Sequence, residues 1–272
     1  MNRLAIFAHY DKDNIIDDYV IYYLNELKKS FNTIIFVSDS DLNQDEICKI
    51  SEIVDYIQAY HHGEYDFGSY KYGYFIAKEN NLLLDTDELL LCNDSVYGPV
   101  SSLEPILEKM SKSVCDFWGI YENKWGLDMK EEAHLQSWFL MMKKQVFLSD
   151  RFDDFMCSIE HKDDKREIVQ EYEIGFTTKM SKYFSYSALY TSIQSDAVTQ
   201  AATSLLKKGF PFIKVSVGKK YILNLHKYVD IKMYSLIKNH LKRTNNRKSI
   251  SKIIRTLRWN VKMRKYSIIK NY

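Results

Sequence analysis

The chain is poor in cysteine. Cys48, Cys92, Cys115 and Cys157 are widely spaced and form no CxxC pair. This excludes a disulfide framework, speaks against structural zinc and fits a reducing compartment. No apolar run approaches the roughly 20 residues needed to span a bilayer. No secretory signal precedes the first apolar segment, since only Met1-Asn2-Arg3 stands before Leu4-Ala5-Ile6-Phe7-Ala8. The expected location is therefore the cytoplasm. Internal repeats and low-complexity linkers are also missing. Acids are absent from the last stretch: residues 232–272 hold 13 Lys or Arg and no Asp or Glu. The other 25 basic residues stand against all 36 acids, an asymmetry that the net charge of +2 conceals. An acidic body with a basic tail points to a polyanionic partner, either membrane phospholipid or nucleic acid. No nucleic-acid motif accompanies the basic stretch, so nucleic acid is set aside.

What is present suits a globular protein. With 272 residues, 46% hydrophobic and 27% charged, the chain can bury a sizeable core. We expect one main domain over 1–230 and a basic helical tail over 231–272. Tyrosine is abundant, at 21 residues. Its flat face and hydroxyl suit sugar and base contacts, and equally a half-buried core.

Strand and helix signals alternate through the first two thirds. Strands are expected at 4–8, 33–37, 56–60, 88–92, 116–121 and 137–143. Helices are expected from an Asp13 or Asn14 cap through Leu27, then near 42–53, from 63–70 to Lys78, and over 103–110, 145–160 and 167–183. The first helix rests on the stripe Ile15, Ile16, Tyr19, Val20, Tyr23, Leu24 and Leu27. This alternation predicts an α/β, Rossmann-like, mostly parallel sheet flanked by helices. Such sheets bind ligands beyond the carboxyl ends of their strands. Here those ends carry Asp11, Asp39 and Asp94.

A sugar transfer from a nucleotide diphosphate needs a stabilised leaving group, a grip on the sugar and, for inversion, a base. Two segments offer a carboxylate for a divalent cation, Asp85-Thr86-Asp87 and Asn93-Asp94-Ser95. The strand between them separates the two by about 17–20 Å. Asp85 and Asp87 precede that strand and fall at its amino end. Asp94 follows it, and is the expected ligand of Mg²⁺ or Mn²⁺.

Leu89-Leu90-Leu91-Cys92-Asn93-Asp94-Ser95-Val96-Tyr97-Gly98-Pro99 resembles the signature of the rhamnan synthesis protein F family. The resemblance extends to Ile6-Phe7-Ala8-His9-Tyr10-Asp11, Tyr65-Asp66-Phe67-Gly68-Ser69-Tyr70 and Asp116-Phe117-Trp118-Gly119. It continues in His134-Leu135-Gln136-Ser137-Trp138-Phe139 and Tyr172-Glu173-Ile174-Gly175, covering roughly 3–225 in all. The chain departs from the pattern at His62-Gly63-Glu64, where an Asn and a Gly are usual. The resemblance implies a GT-A-like glycosyltransferase of cell-wall or capsular polysaccharide synthesis, with a nucleotide-activated rhamnose among the expected donors. A lipid-linked saccharide is the acceptor usual in such pathways.

On that footing His9, Tyr10, Asp11 and Asp39 are expected to line the nucleotide pocket, and Asp66 to bind the donor sugar. Asn93, Asp94 and Ser95 would face the diphosphate, and His134 and Gln136 would bind donor or acceptor. Glu173, expected after the last core strand, is the candidate base, with Glu171 its rival. His226 is a second candidate metal ligand. Residues 250–268 read as a basic amphipathic helix with Ile250, Ile253, Ile254, Leu257, Val261 and Ile268 on one face. It would lie on the inner face of the membrane or pack on the protein's own acidic body or a partner subunit. A non-catalytic assembly subunit of a polysaccharide synthesis complex is the competing reading.

Overall fold

The computed structural model describes residues 1–192, 197–244 and 268–270. The first half runs β1 (Arg3–His9), α1 (Asp18–Lys28), β2 (Thr33–Ser38), α2 (Gln44–Cys48), β3 (Tyr56–Ala59), α3 (Tyr65–Glu79) and α4 (Leu82–Asp85). It continues with β4 (Glu88–Asn93), β5 (Val96–Tyr97), α5 (Glu104–Ser111), β6 (Phe117–Trp125), β7 (Glu131–Leu135) and β8 (Phe139–Lys143). Then come α6 (Lys144–Phe147), α7 (Asp150–Cys157), α8 (Lys165–Ile168), a π-helical turn (Val169–Ile174) and α9 (Gly175–Met180). The chain closes with β9 (Tyr186–Ser192), α10 (Ala197–Gln200), α11 (Ala202–Lys207), β10 (Ile213–Lys214), α12 (Val215–Leu225), α13 (Ile231–Thr244) and β11 (Ile268–Lys270).

The main sheet has the order β11-β9-β6-β8-β4-β1-β2-β3, with β7 paired to β6. β4, β1, β2 and β3 are parallel neighbours, β6 and β9 are parallel, and β8 runs antiparallel between β4 and β6. This is the mostly parallel, helix-flanked, GT-A-like sheet expected from the sequence. The central strands are buried on both faces, which is why β1 and β4 read as near-continuous apolar runs. Alternate residues serve opposite cores. Ala5 and Phe7 pack with Tyr23, Leu24 and Phe36 beneath α1, while Leu4, Ile6 and Ala8 pack with Tyr70 and Tyr74 beneath α3. Each large side chain buried in this way contributes about 1.5–3 kcal/mol. At Gly73 an added Cβ would stand 2.3 Å from Ile6 Cγ2, so α3 lies closer to β1 than any other residue there permits.

Several boundaries differ from the sequence expectation. The first helix begins at an Asp17 cap, not at Asp13 or Asn14. Asn14 is left-handed (φ 56°), and the Ile16 amide is taken by the Glu46 carboxylate at 2.6 Å, so residues 11–16 form a loop. The expected 42–53 helix is only α2, and the 145–160 helix is divided where Ser149 caps α7 by accepting from the Phe152 amide. β7, of sequence EEAHL, and β9 were not anticipated. Ile268, expected on a helical face, lies in β11 against Ser192. The rest of the expected tail helix lies outside the described residues. α13 does form, and buries Met233, Ile237, His240 and Leu241. No helix among the described residues is long and apolar enough to cross a membrane.

Candidate active site

The parallel strands β1, β2, β3 and β4 deliver their carboxyl ends to one edge, and the antiparallel β8 delivers its amino end there. A cavity of about 490 Å³ opens at this edge. Its walls include Tyr10 after β1, Asp39 after β2, His61 and Gly63 after β3, and Asp94 after β4. Tyr65 and Asp66 open α3 beside it, Ser137 precedes β8, and Glu173 lies across it. The cavity is closed on one side by the segment 161–165, which contributes His161, Lys162, Asp163 and Lys165.

Asp94 is held from two sides. Its Oδ2 accepts the Tyr10 amide at 3.0 Å, and its carbonyl accepts the Tyr19 hydroxyl at 2.9 Å. Asp66 accepts the Asn93 side-chain amide at 2.8 Å. Burial and then the neighbouring Asp66 charge push the Asp94 carboxyl well above the usual range. Burial pushes Asp66 up to about 6, with Lys214 and Lys165 opposing the rise and Glu173 and Asp39 adding to it. Both carboxyls thus stand, half-buried, at the same cavity, where a bound cation would favour their charged forms.

The remaining expected residues divide. Asp39 lines the cavity, but its Oδ1 also accepts the amides of His62 (2.7 Å) and Gly63 (2.8 Å), fixing the turn that leads into α3. Gly63 needs its glycine there, at φ +71°. His9 is buried behind the wall, with Nδ1 2.8 Å from Ser38 Oγ, and burial lowers its pKa to about 4. Asn93 and Ser95 are struts and not cavity lining: Asn93 Oδ1 accepts from Ser95 Oγ at 2.6 Å, and Ser95 Oγ accepts from Lys214 Nζ at 3.2 Å. Asp11 is drawn off the cavity by Arg243, 2.5 Å away.

His134 stands apart from the cavity. It is buried in β7 with Nδ1 2.7 Å from the Glu132 carbonyl, and Gln136 accepts the Trp138 indole N–H at 2.8 Å. Neither lines the cavity. His226 caps α12 on the exposed surface, bonded to the Leu223 carbonyl at 2.7 Å, and stands outside the cavity lining. Asp85 and Asp87 sit at the amino edge, where the Asn2 amide donates to Asp87 at 2.7 Å.

Glu173 does not follow the last core strand, since β9 comes after it. It projects from the π-helical turn, a wide turn that recurs at functional sites. Glu171 in the same turn is exposed and paired with Lys162 at 3.3 Å. The segment 161–165, where Lys162 and Lys165 stand beside Asp163 and Asp164, carried no signal in the sequence, being a polar stretch without periodicity. It is pinned by His161, whose Nδ1 lies 2.8 Å from the Gly63 carbonyl, and by Lys71, which donates to the Ile159 carbonyl at 3.0 Å. The Gly63 carbonyl and then Asp163 hold the His161 imidazole above its usual value, favouring positive charge at the rim.

Among the described residues no group of three or more His, Cys, Asp or Glu converges into a metal cage. A hard divalent cation of the Mg²⁺ kind does not require one, being held by one or two carboxylates together with substrate phosphates. Asp66 and Asp94 fit that demand.

The chain belongs to the rhamnan synthesis protein F family, whose model matches residues 34–258. The uncharacterized protein y4gN of Sinorhizobium fredii (strain NBRC 101917 / NGR234) is 25% identical over 188 residues, 69% of this chain and 48% of that protein. The chain thus spans about half the length of this curated relative. Among solved structures, it is similar to the inositol-1-phosphate CTP transferase from T. maritima (TM-score 0.44, 12% identity, 89% of this chain and 97% of that one). It is also similar to a glycosyltransferase involved in the glycosylation of the major capsid of PBCV-1 (0.39, 12%, 79% and 93%). A third is core-mannan synthase A from Aspergillus fumigatus in its Mn/GDP form (0.35, 9%, 58% and 63%).

Proposed function

We propose that the protein is a glycosyltransferase that moves a sugar from a nucleotide-diphosphate donor to a lipid-linked precursor of a cell-surface polysaccharide, with inversion. A deoxyhexose, rhamnose, is the donor sugar that family membership favours. The observation that carries this reading is the meeting of Asp66, Asp94 and Glu173 around one cavity that Lys162 and Lys165 also line.

The roles follow from the chemistry of each group. The donor diphosphate lies between the carboxylate pair and the Lys162–Lys165 segment, with Tyr10 and Tyr65 offering exposed aromatic faces to its base or sugar. Asp66 and Asp94 would hold Mg²⁺ or Mn²⁺, which supplies charge neutralisation of the departing diphosphate. Glu173 takes the proton of the acceptor hydroxyl as that oxygen attacks the anomeric carbon on the face opposite the leaving group. The enzyme works at the inner face of the membrane, where its basic tail meets anionic lipid.

A thermal-shift panel of UDP-, GDP- and dTDP-sugars, with and without Mg²⁺ or Mn²⁺, tests this. Specific binding stabilises the fold by mass action, so one donor should stand out. A flat response across the panel would favour the assembly-subunit reading.

A further inference from the structure

The loop between β1 and α1 carries Asp11, Asp13 and Asp17. Three carboxylates beside a cavity for a polyanion would repel the ligand. All three converge on one side chain from the other end of the chain, Arg243 in the last turn of α13. Its Nη2 lies 2.5 Å from Asp11 Oδ2 and 2.5 Å from Asp17 Oδ2, and its Nη1 lies 3.1 Å from Asp13 Oδ2. Nε adds a bond of 2.9 Å to Asp17 Oδ1. The planar guanidinium matches such multidentate pairing in a way that an ammonium does not. The side chains of Asp11, Asp17 and Arg243 are largely shielded from solvent, at 13%, 13% and 23% exposure, so the cluster is more than a screened surface pair.

The same loop orients the cavity. Its first residue, Tyr10, gives its amide to Asp94, and the Asp11 amide donates to Ser40 Oγ at 2.9 Å. One turn before Arg243, His240 Nδ1 stands 2.6 Å from the Tyr97 hydroxyl. The His240 and Tyr97 rings both lie 4.9 Å from the ring of Tyr19, whose hydroxyl reaches the Asp94 carbonyl. α13 therefore reaches Asp94 by two routes, from Arg243 through Asp11 and Tyr10 and from His240 through Tyr19.

We propose that Arg243 is a positioning residue of the donor site: it neutralises the acidic loop and holds it so that Asp94 keeps its orientation toward the incoming diphosphate. This rests on the donor-site reading of the Asp66–Asp94 cavity. The test uses the full chain, with wild type, Arg243→Ala, Arg243→Lys and the triple variant Arg243→Ala/Asp11→Asn/Asp17→Asn. Calorimetry against UDP-, GDP- and dTDP-sugars is read beside hydrogen exchange at 10–17 and a melting curve for each variant. For the donor that wild type binds, Arg243→Ala should weaken binding about tenfold and speed exchange at Tyr10 and Asp13. Arg243→Lys should recover part of the loss, and removal of the acids in the triple variant should recover affinity. Folded Arg243→Ala with wild-type affinity and exchange would overturn the proposal. Should Arg243→Ala fail to fold, Arg243→Lys decides: unchanged affinity and exchange in that variant count against the role. Wild-type protein that binds no member of the panel overturns the donor-site reading itself, a result distinct from either of these.

Discussion

Asn93 donates its side-chain amide to Asp66 at 2.8 Å, tying the end of β4 to the first turn of α3. The residue next to Asp94 thus sets the spacing between the two cavity carboxyls. That spacing places both in a poorly solvated site, and the first prediction follows from it.

Asp66→Asn should stabilise the free protein at neutral pH while abolishing donor binding. The folded-state pKa of Asp66 is raised to about 6 from the 3.8 of an ordinary Asp, so ionisation weakens the fold as pH rises through that window. The gain should be about 1–2 kcal/mol above pH 7, allowing for partial solvation, and should vanish as pH falls below about 4. Urea melts of both proteins at pH 4 and 7.5 check it, and equal midpoint differences at the two values would refute it.

Glu173→Gln should lower kcat by about 10²–10⁴ while leaving donor affinity intact, as loss of a general base does. Glu171→Gln, in a residue exposed and paired with Lys162, should change kcat by no more than about twofold. Steady-state turnover with calorimetric donor binding separates the two acids.

Lys165→Ala should raise the donor KM about threefold to tenfold and reduce its dependence on salt, with kcat little changed. KM measured across an ionic-strength series reads this directly.

Asp85→Ala and Asp87→Ala should leave donor binding unaltered, although the pair looks like a metal motif. Asp87→Ala forfeits the bond from the Asn2 amide and should cost about 1 kcal/mol. Loss of donor binding in either variant would relocate the site to the opposite edge of the sheet.

Arg3→Met should destabilise the protein by about 3–5 kcal/mol, because Glu88 is then left charged and unpaired in the interior. The pair is 2.8 Å apart with both side chains almost fully buried. The denaturation midpoint should fall, with kcat of the remaining folded protein unchanged.

The sheet was legible wherever burial on both faces enforced continuous apolar runs, as in Leu4–Ala8 and Leu89–Cys92. Its carboxyl edge was legible for the same reason, since chain direction alone places Asp39, Asp66 and Asp94 there. β7 was not, because Glu131, Glu132 and His134 give an edge hairpin no apolar alternation. The pairing of Asp11 was not legible, because its partner, Arg243, is 232 residues away. His134 and Gln136 lie outside the cavity lining, and hydrogen bonds to nearby groups that no sequence pattern marks claim their polar atoms. Lys162 lies in, and Lys165 directly follows, a loop whose position is set by His161 and Lys71 contacts that no local pattern encodes.

The wide turn at Val169–Ile174 has a consequence for how this chain tolerates change. A π-helical turn holds one residue more than an α-helical turn, and side chains before and after it are therefore out of phase by roughly 100°. Deleting Gln170 would let the backbone relax into an unbroken helix from Lys165 to Met180. Every apolar contact of α9 could then be kept by a small rotation, yet Glu173 would swing away from Asp66. Such a shortened chain would remain folded and inert, so length in this segment matters as much as the identity of its acid.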